Sequence, residues 1–388
     1  MAKYKLDELC EFITDGTHQT PEYCDDGVIF LSSKDVTERK INWDDVRYIP
    51  DELHEKLYKR LSPRKNDILL AKNGTTGVAA IVDRDEIFDV YVSLAVLRPL
   101  ETIYPKYLLY AVNSPVAKRQ FNAGLKGIGV PNLHLGVIRE TIVNVAQWDE
   151  QEKVCEILDR VANLIEKRKT ELDMLDNLIK ARFVEMFGDI ATGNYKYDTR
   201  KLGDVANVGS SHRVFTTEFV KKGIPFYRGT EIGELANGNK PAEPFYISEE
   251  HYNRLVYNDT KPQVGDLLLP SICNKGQVWM VDTDEPFYYK DGRVLCISPD
   301  REIFDTKYLE YFMRAKTLVE YPKLGSGSTF AEFKIFILKN IDVLIPPREL
   351  QEQFSMFVDQ VDKSKVAVQK ALDETQMLFD SLMQKYFA

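Results

Sequence analysis

The sequence lacks long apolar runs, paired cysteines and any excess of positive charge, and each lack removes a class of protein. No apolar run approaches the roughly 18 to 20 residues that span a bilayer, and the opening MAKYKLDELCEF has no signal-peptide core. No membrane partner and a cytoplasmic location are therefore expected. The five cysteines, Cys10, Cys24, Cys155, Cys273 and Cys296, are odd in number and never spaced as CxxC. That argues against a disulfide framework or a zinc knuckle and for buried, reduced thiols. The five histidines, His18, His54, His134, His212 and His251, form no metal-spaced pair, so no metal ligand set is expected. With 51 Lys and Arg against 60 Asp and Glu, the net charge is −9. A chain this acidic does not coat nucleic acid indiscriminately. A sequence reader with local basic patches remains compatible with it.

Enzyme signatures are also missing. There is no GxxxxGK[ST] phosphate loop. Lys72-Asn-Gly-Thr-Thr-Gly follows a predicted strand without a dinucleotide fingerprint, and GLKGIGV (124–130) has the wrong glycine spacing for one. Ile345-Pro-Pro-Arg348 is not the Asn/Asp-Pro-Pro-aromatic box of a methyltransferase. Pro299-Asp300 lies too close to Asp305-Thr-Lys307 for a nuclease pair on neighbouring strands. No catalytic residue and no cofactor of its own are assigned to the chain.

What is present is a repeat. The chain has 388 residues, 44% apolar and 29% charged, ordinary for two or three globular domains. KLDEL (5–9) matches KLGDV (201–205), and GVIFLSSKDV (27–36) matches GIPFYRGTEI (223–232), both at an offset of 196. KNDILLAKNG (65–74) matches VGDLLLPSIC (264–273) at 199, and YPKYLLYAV (104–112) resembles DTKYLEYFM (305–313). VPNLHLGVI (130–138) matches FAEFKIFIL (330–338) at 200, with apolar positions in phase. The chain thus reads as a tandem duplication. Alternating runs such as DILLAKNG and AAIVD predict strands, and YPKYLLYAVNSPVAKRQFNAG predicts short helices, giving an α/β or α+β unit. The expected organisation is a globular domain over 1–148, a helix over 149–188, a turn-rich linker over 189–197, a second domain over 198–346 and a second helix over 347–388.

Both helices carry an apolar stripe at 3–4 spacing. In the first it runs Leu158, Val161, Ile165, Leu172, Leu175 and Ile179, interrupted by Arg168 and Arg182. In the second it runs Val358, Val361, Val368, Leu372, Phe379 and Leu382, interrupted by Lys365 and Thr375. This is a coiled-coil seam. About 37 residues make a rod of roughly 55 Å. The simplest burial pairs the two stripes, antiparallel or offset, in a pseudo-twofold arrangement; the alternative packs each helix on its own domain. Two similar heads on a rigid spacer are suited to measuring a distance along duplex DNA, where half-sites one turn apart share a face.

With the repeat established, the chain resembles the DNA specificity (S) subunits of type I restriction-modification systems. LDELCEFITDGTHQTPEYCDDGVIFLSSKDV and KLGDVANVGSSHRVFTTEFVKKGIPFYRGTEI look like the starts of two target recognition domains. KNDILLAKNGTTGVAAIVD resembles the family's strand–loop–strand. DEQEKVCEILDRVANLIEKRK…FVEMFGD and PPRELQEQFSMFVDQVDK…LFDSLMQKYFA resemble its two spacer helices. The resemblance covers essentially the whole chain. It implies a non-catalytic subunit that binds double-stranded DNA at a bipartite target, one half-site per domain, with the helices setting the gap. It further implies docking to two methyltransferase subunits that bind S-adenosylmethionine, and to ATP- and magnesium-dependent restriction subunits. The recognition domains of the family vary, so the target bases are not transferable.

Base reading needs donors and acceptors on loops, and phosphate holding needs cations and backbone N–H groups. The candidates in the first half are Thr17, His18, Ser33, Lys34, Lys72, Asn73, Thr75 and Thr76. In the second half they are Arg213, Arg228, Thr230, Asn274 and Lys275. Lys126 and Lys323, in the glycine-rich turns GLKGIG and KLGSGS, are added as phosphate contacts, and KLYKRLSPRK (56–65) as a further basic run. Lys34 and Arg228 are the favoured guanine contacts. Two other readings stay open: a relative serving a type II-like restriction enzyme, and a coiled-coil scaffold that binds only proteins.

Overall fold

A computed structural model describes residues 1–388 apart from 38, 126–130, 257–260 and 326–330. It divides into two compact units, Met1–Thr170 with Val368–Ala388, and Glu171–Ala367. Each is α+β, and each repeats the other's topology.

In the first unit a four-stranded antiparallel sheet runs in the order Cys10–Asp15, Leu94–Pro99, Ile68–Ala71, Ala79–Ile81. Ile68–Ala71 is an unbroken apolar run, and all four residues are buried because both faces of this strand are covered. Ile68 and Leu70 point into one core with Tyr107, Phe121 and Leu158, while Leu69 and Ala71 point into another with Trp43 and Phe88. The period-2 alternation of a strand thus feeds two layers. Beside it, Val28–Leu31 pairs antiparallel with Arg47–Ile49 and parallel with Phe88–Val90.

The second unit has the same sheet, Ala206–Ser210, Val294–Pro299, Leu267–Pro270, Trp279–Met280. Its companion Ile224–Tyr227 again takes one antiparallel neighbour, Phe245–Ile247, and one parallel neighbour, Tyr288–Tyr289. The KLDEL and KLGDV matches form equivalent single-turn helices, Leu6–Leu9 and Leu202–Val205. The two copies differ where the first has Pro115. There the chain breaks into helices Pro105–Val112 and Pro115–Ala123, the second capped by Ser114 accepting from the Ala117 amide. The other copy, without that proline, runs unbroken over Thr306–Glu320.

Two 40-residue helices, Trp148–Phe187 and Arg348–Phe387, contribute to both units. In the first unit, Asn144 donates to the Phe387 carbonyl at 3.3 Å, while Arg168 donates to the Ala371 carbonyl and the Thr375 hydroxyl. Residue numbers rise on one segment as they fall on the other, so the segments are antiparallel. In the second unit Lys365 pairs with Asp176 at 2.6 Å, and the Phe183 and Phe354 rings lie 5.4 Å apart, which gives the same sense. The seam residues Leu158, Val161, Ile165, Ile179, Val358, Val361 and Phe379 are buried, and Leu172, Leu175, Val368, Leu372 and Leu382 are half-buried. Arg168 fills its polar gap in the stripe by bonding across to the partner segment. The stripe also extends into bulky apolar ends, Phe183, Phe187, Met383 and Phe387, which sit in the domain cores. The helices therefore pack both on each other and on the domains, which the sequence had set out as alternatives.

Equivalent glutamines fix the helix starts. Gln151 accepts from the Tyr104 amide and donates to the Ala146 carbonyl, and Gln351 accepts from the Asp305 amide and donates to the Pro346 carbonyl. The segment 189–197, expected as a turn-rich linker, holds a small hairpin, Gly188–Asp189 with Asn194–Tyr195. Ile190, Tyr195 and Tyr197 anchor it in the second core.

Candidate nucleic-acid interface

In the first unit, several expected contact residues converge on one cluster at the C-terminal end of strand Cys10–Asp15. Asp15 is its hub. Its Oδ2 accepts from Lys72 Nζ at 2.5 Å, its Oδ1 lies 3.4 Å from His18 Nε2, and its carbonyl accepts from Arg60 at 2.9 Å. The Lys72 amide donates to the Ser93 carbonyl, and the Lys72 carbonyl accepts from the Leu133 amide. Ser93 Oγ accepts from the Ser33 amide at 3.0 Å. Thr17 is held by its own backbone bonds to Val90 and Val92. Thr17, His18, Ser33, Lys72 and Asn73 thus share one framework. His18, Lys34 and Thr75 are exposed there, while Thr17, Ser33, Asn73 and Thr76 are half-buried.

One expectation needs correction. Lys72 is not a solvent-facing cation, because its side chain is 7% exposed and committed to Asp15. The loop that follows it turns back on the strand, where the Gly77 N–H donates to the Ala71 carbonyl and Gly77 takes a left-handed φ of 82°. Arg228 is exposed but already paired. It precedes helix Gly229–Ala236, its amide and guanidinium both donate to Glu231, and the guanidinium lies 4.5 Å from the centre of the Phe245 ring. Glu231 is pushed upward by burial, but the Arg228 bonds outweigh this and hold it below the usual carboxylate range. Ser32 and Asp35 form the same capping arrangement in the first unit, which places Ser33 and Lys34 on a 3-10 turn instead of an open loop.

The remaining expected residues of the second unit lie apart from one common hub. Arg213 is exposed and 3.3 Å from Asp291, which also faces Lys290 at 3.3 Å. Thr230, Asn274 and Lys275 are exposed, and the Lys275 amide donates to Gln277 at 3.0 Å. Lys323 pairs with Glu320 at 3.0 Å. Lys126 lies outside the described residues. In the basic run, Lys56, Lys59 and Arg60 sit on helix Asp51–Arg60. His54 and His251, which match in the repeat, occupy equivalent first turns. His54 lies 2.6 Å from Asp89 and His251 lies 3.7 Å from Glu218. Burial raises Asp89 above the usual carboxylate range, with His54 opposing.

The sequence reading missed Asp15, Ser93 and Asn132 in the first unit, and Asp291, Arg293 and Glu332 in the second. Their signal is positional. Ser271 bonds the Arg293 carbonyl and the Phe333 amide as Lys72 bonds those of Ser93 and Leu133. The equivalences are therefore Lys72 with Ser271, Ser93 with Arg293, and Asn132 with Glu332. Strand register adds Asp15 with Ser210, opposite Ala95 and Leu295. The sequence repeat already aligns Lys72 with Ser271 and Asn132 with Glu332, whereas the backbone bonds and strand register supply the pairs Ser93 with Arg293 and Asp15 with Ser210.

The sequence matches the family model described as the Type I restriction modification DNA specificity domain over residues 1–174 and again over 194–375. It is 21% identical over 357 residues to the Type I restriction enzyme MjaIX specificity subunit of Methanocaldococcus jannaschii, covering 85% of this chain and 79% of that one. It is 26% identical over 182 residues to the MjaVIII specificity subunit of the same organism, covering 45% of this chain and 43% of the relative. The chain thus matches less than half the length of that relative. Among solved structures, the S subunit of a type I restriction-modification system from M. genitalium aligns with a TM-score of 0.55 at 14% identity, over 100% of this chain and 96% of that one. A chain from a type I R-M system, solved for its complex assembly and conformational transition, aligns with a TM-score of 0.59 at 18% identity, over 99% and 97%. At these identities the likeness is one of fold.

Proposed function

The chain belongs to the type I restriction-modification DNA specificity family, and from that premise we propose that it reads a bipartite target on double-stranded DNA, one half-site per unit. It carries no catalytic group or cofactor of its own. It docks two methyltransferase subunits, which supply S-adenosylmethionine chemistry, and restriction subunits, which supply ATP and magnesium chemistry. The helices Trp148–Phe187 and Arg348–Phe387 set the number of unread base pairs between the half-sites.

The observation that carries this reading is the duplication itself. The same sheet order and the same backbone bonds occur twice, at Lys72 and at Ser271, with different polar side chains displayed around them. A scaffold that only joined proteins has no need for two like frames with unlike polar displays. Duplicated frames with different donors and acceptors suit two different half-sites. The role in this complex agrees with the net charge of −9, which suppresses non-specific affinity and leaves discrimination to local contacts.

The test is a domain exchange. Residues 1–148 are replaced by the aligned segment of a family relative with a different target, and the methylation motif is mapped. One altered half with the other unchanged is expected. An unaltered motif, or alteration of both halves, would overturn the assignment of one half-site to each unit.

A further inference from the structure

The structure assigns Arg293 and Glu332 of the second unit as a joined donor–acceptor pair that reads one G·C base pair; this rests on the DNA-reading function proposed above. The two side chains come from different segments. Arg293 follows the Asp291-Gly292 turn, where Gly292 takes a left-handed φ of 62°, and leads directly into strand Val294–Pro299. Glu332 precedes the buried Phe333, whose amide donates to the Ser271 carbonyl at 2.7 Å. The Ser271 amide in turn donates to the Arg293 carbonyl at 2.9 Å. One buried serine therefore fixes both backbones, and the side chains meet above it with Arg293 Nη1 3.0 Å from Glu332 Oε2.

The pair is poorly explained by stability. The side chains are 60% and 32% exposed, and an exposed ion pair of this kind contributes little. It also stands where the first unit has uncharged groups, Ser93 and Asn132, on the same backbone frame. The frame is retained while the side chains on it change from a buried serine and a half-buried asparagine to an exposed ion pair, which is the pattern of a position that varies for reading.

The chemistry displayed fits one base pair. In the major groove guanine offers two adjacent acceptors, O6 and N7, and its partner cytosine offers the N4 amino donor. The guanidinium fork supplies two donors side by side, and the carboxylate supplies the acceptor beside them. An A·T pair offers one acceptor and one donor on adenine, then an acceptor and a methyl group on thymine. The fork would face an amino group, and the carboxylate would face an oxygen. Glu332 also holds the arginine extended before DNA arrives, so less side-chain freedom is lost on contact. The neighbouring cations, exposed Arg213 and half-buried Lys290, both against Asp291, are placed to hold phosphates, a role without sequence preference.

The experiment maps methylated sites made by the full chain with its cognate methyltransferase, comparing wild type, Arg293→Gln and Glu332→Gln, together with binding of each complex to duplexes substituted at single base pairs. Both variants are expected to relax the same single G·C position in one half-site, by roughly 5- to 150-fold in discrimination, the worth of one bidentate contact. The other half-site stays unchanged. Unaltered discrimination in both variants, or relaxation of two different positions, would overturn the assignment. So would a uniform loss of binding across sequences with the motif intact, which marks a phosphate contact. If a variant loses all binding, Arg293→Lys is mapped in its place; a retained, undiminished G·C requirement there would also overturn the assignment. A wild-type chain that yields no split motif would instead remove the function on which the assignment rests.

Discussion

Lys72 Nζ donates to Asp15 Oδ2 at 2.5 Å, with the two side chains only 7% and 10% exposed. This buried ion pair joins the strand that ends at Asp15 to the loop that opens at Lys72, and its counterpart in the second unit is a pair of serines, Ser210 and Ser271. Removing one partner strands a charge out of water. Lys72→Met is expected to destabilise the first unit by about 3–5 kcal/mol, and Asp15→Asn with Lys72→Met to recover most of that loss. Hydrogen exchange at the amides of Ile68–Ala71 reads the effect locally. Unchanged exchange in the single variant would show that the pair contributes nothing.

Glu231 provides a pH test. Its folded value lies below the ordinary one because the Arg228 bonds overcome its burial. A depressed carboxylate contributes stability that is present above its unfolded value of about 4.3 and lost as pH falls through the lower folded value. Wild type is therefore expected to exceed Glu231→Gln in protection of helix Gly229–Ala236 at pH 7. The two should converge as the pH drops below about 4. A gap that widened in acid would contradict the sign.

Phe183 is 1% exposed and surrounded by Phe187, Tyr308 and Phe354. Phe183→Ala is expected to cost about 3–5 kcal/mol. Leu178→Ala, five residues away but 47% exposed, is expected to fall within about 0.5 kcal/mol of wild type. Urea unfolding of the full chain, followed by exchange within the second unit, separates the two. Equal losses would mean that the seam does not select its face.

Much of this architecture was legible because it is periodic or repeated. The 3–4 stripe from Leu158 to Ile179 located the helix face, and the apolar run Ile68–Ala71 located a strand. The matches at KLDEL and KLGDV located equivalent turns. The site was less legible because it depends on contacts distant in sequence. Lys72 looks like a loop cation, and its commitment to Asp15, 57 positions away, has no local sign. Arg228 looks like an unpaired loop cation, and its pairing with Glu231 three positions later shows only in the structure. Arg293 and Glu332 carry no motif at all; the repeat offset of 200 aligns Glu332 with Asn132, but Arg293 becomes equivalent to Ser93 through the shared backbone bonds at Ser271 and Lys72.

The helices give a length test. Removing four residues from each, about one turn or 5.4 Å, is expected to shorten the unread gap by one or two base pairs of about 3.4 Å. Mapping the motif made by the shortened chain reads this directly. A fixed gap would mean that helix length does not set it.

The most direct measurement is genome-wide mapping of methylated adenines in cells carrying the cognate methyltransferase, with and without this chain. A split motif that appears only when the chain is present is the predicted result. Methylation that is the same in both, with the methyltransferase shown to be active, would contradict DNA reading by this chain and leave a protein-only scaffold.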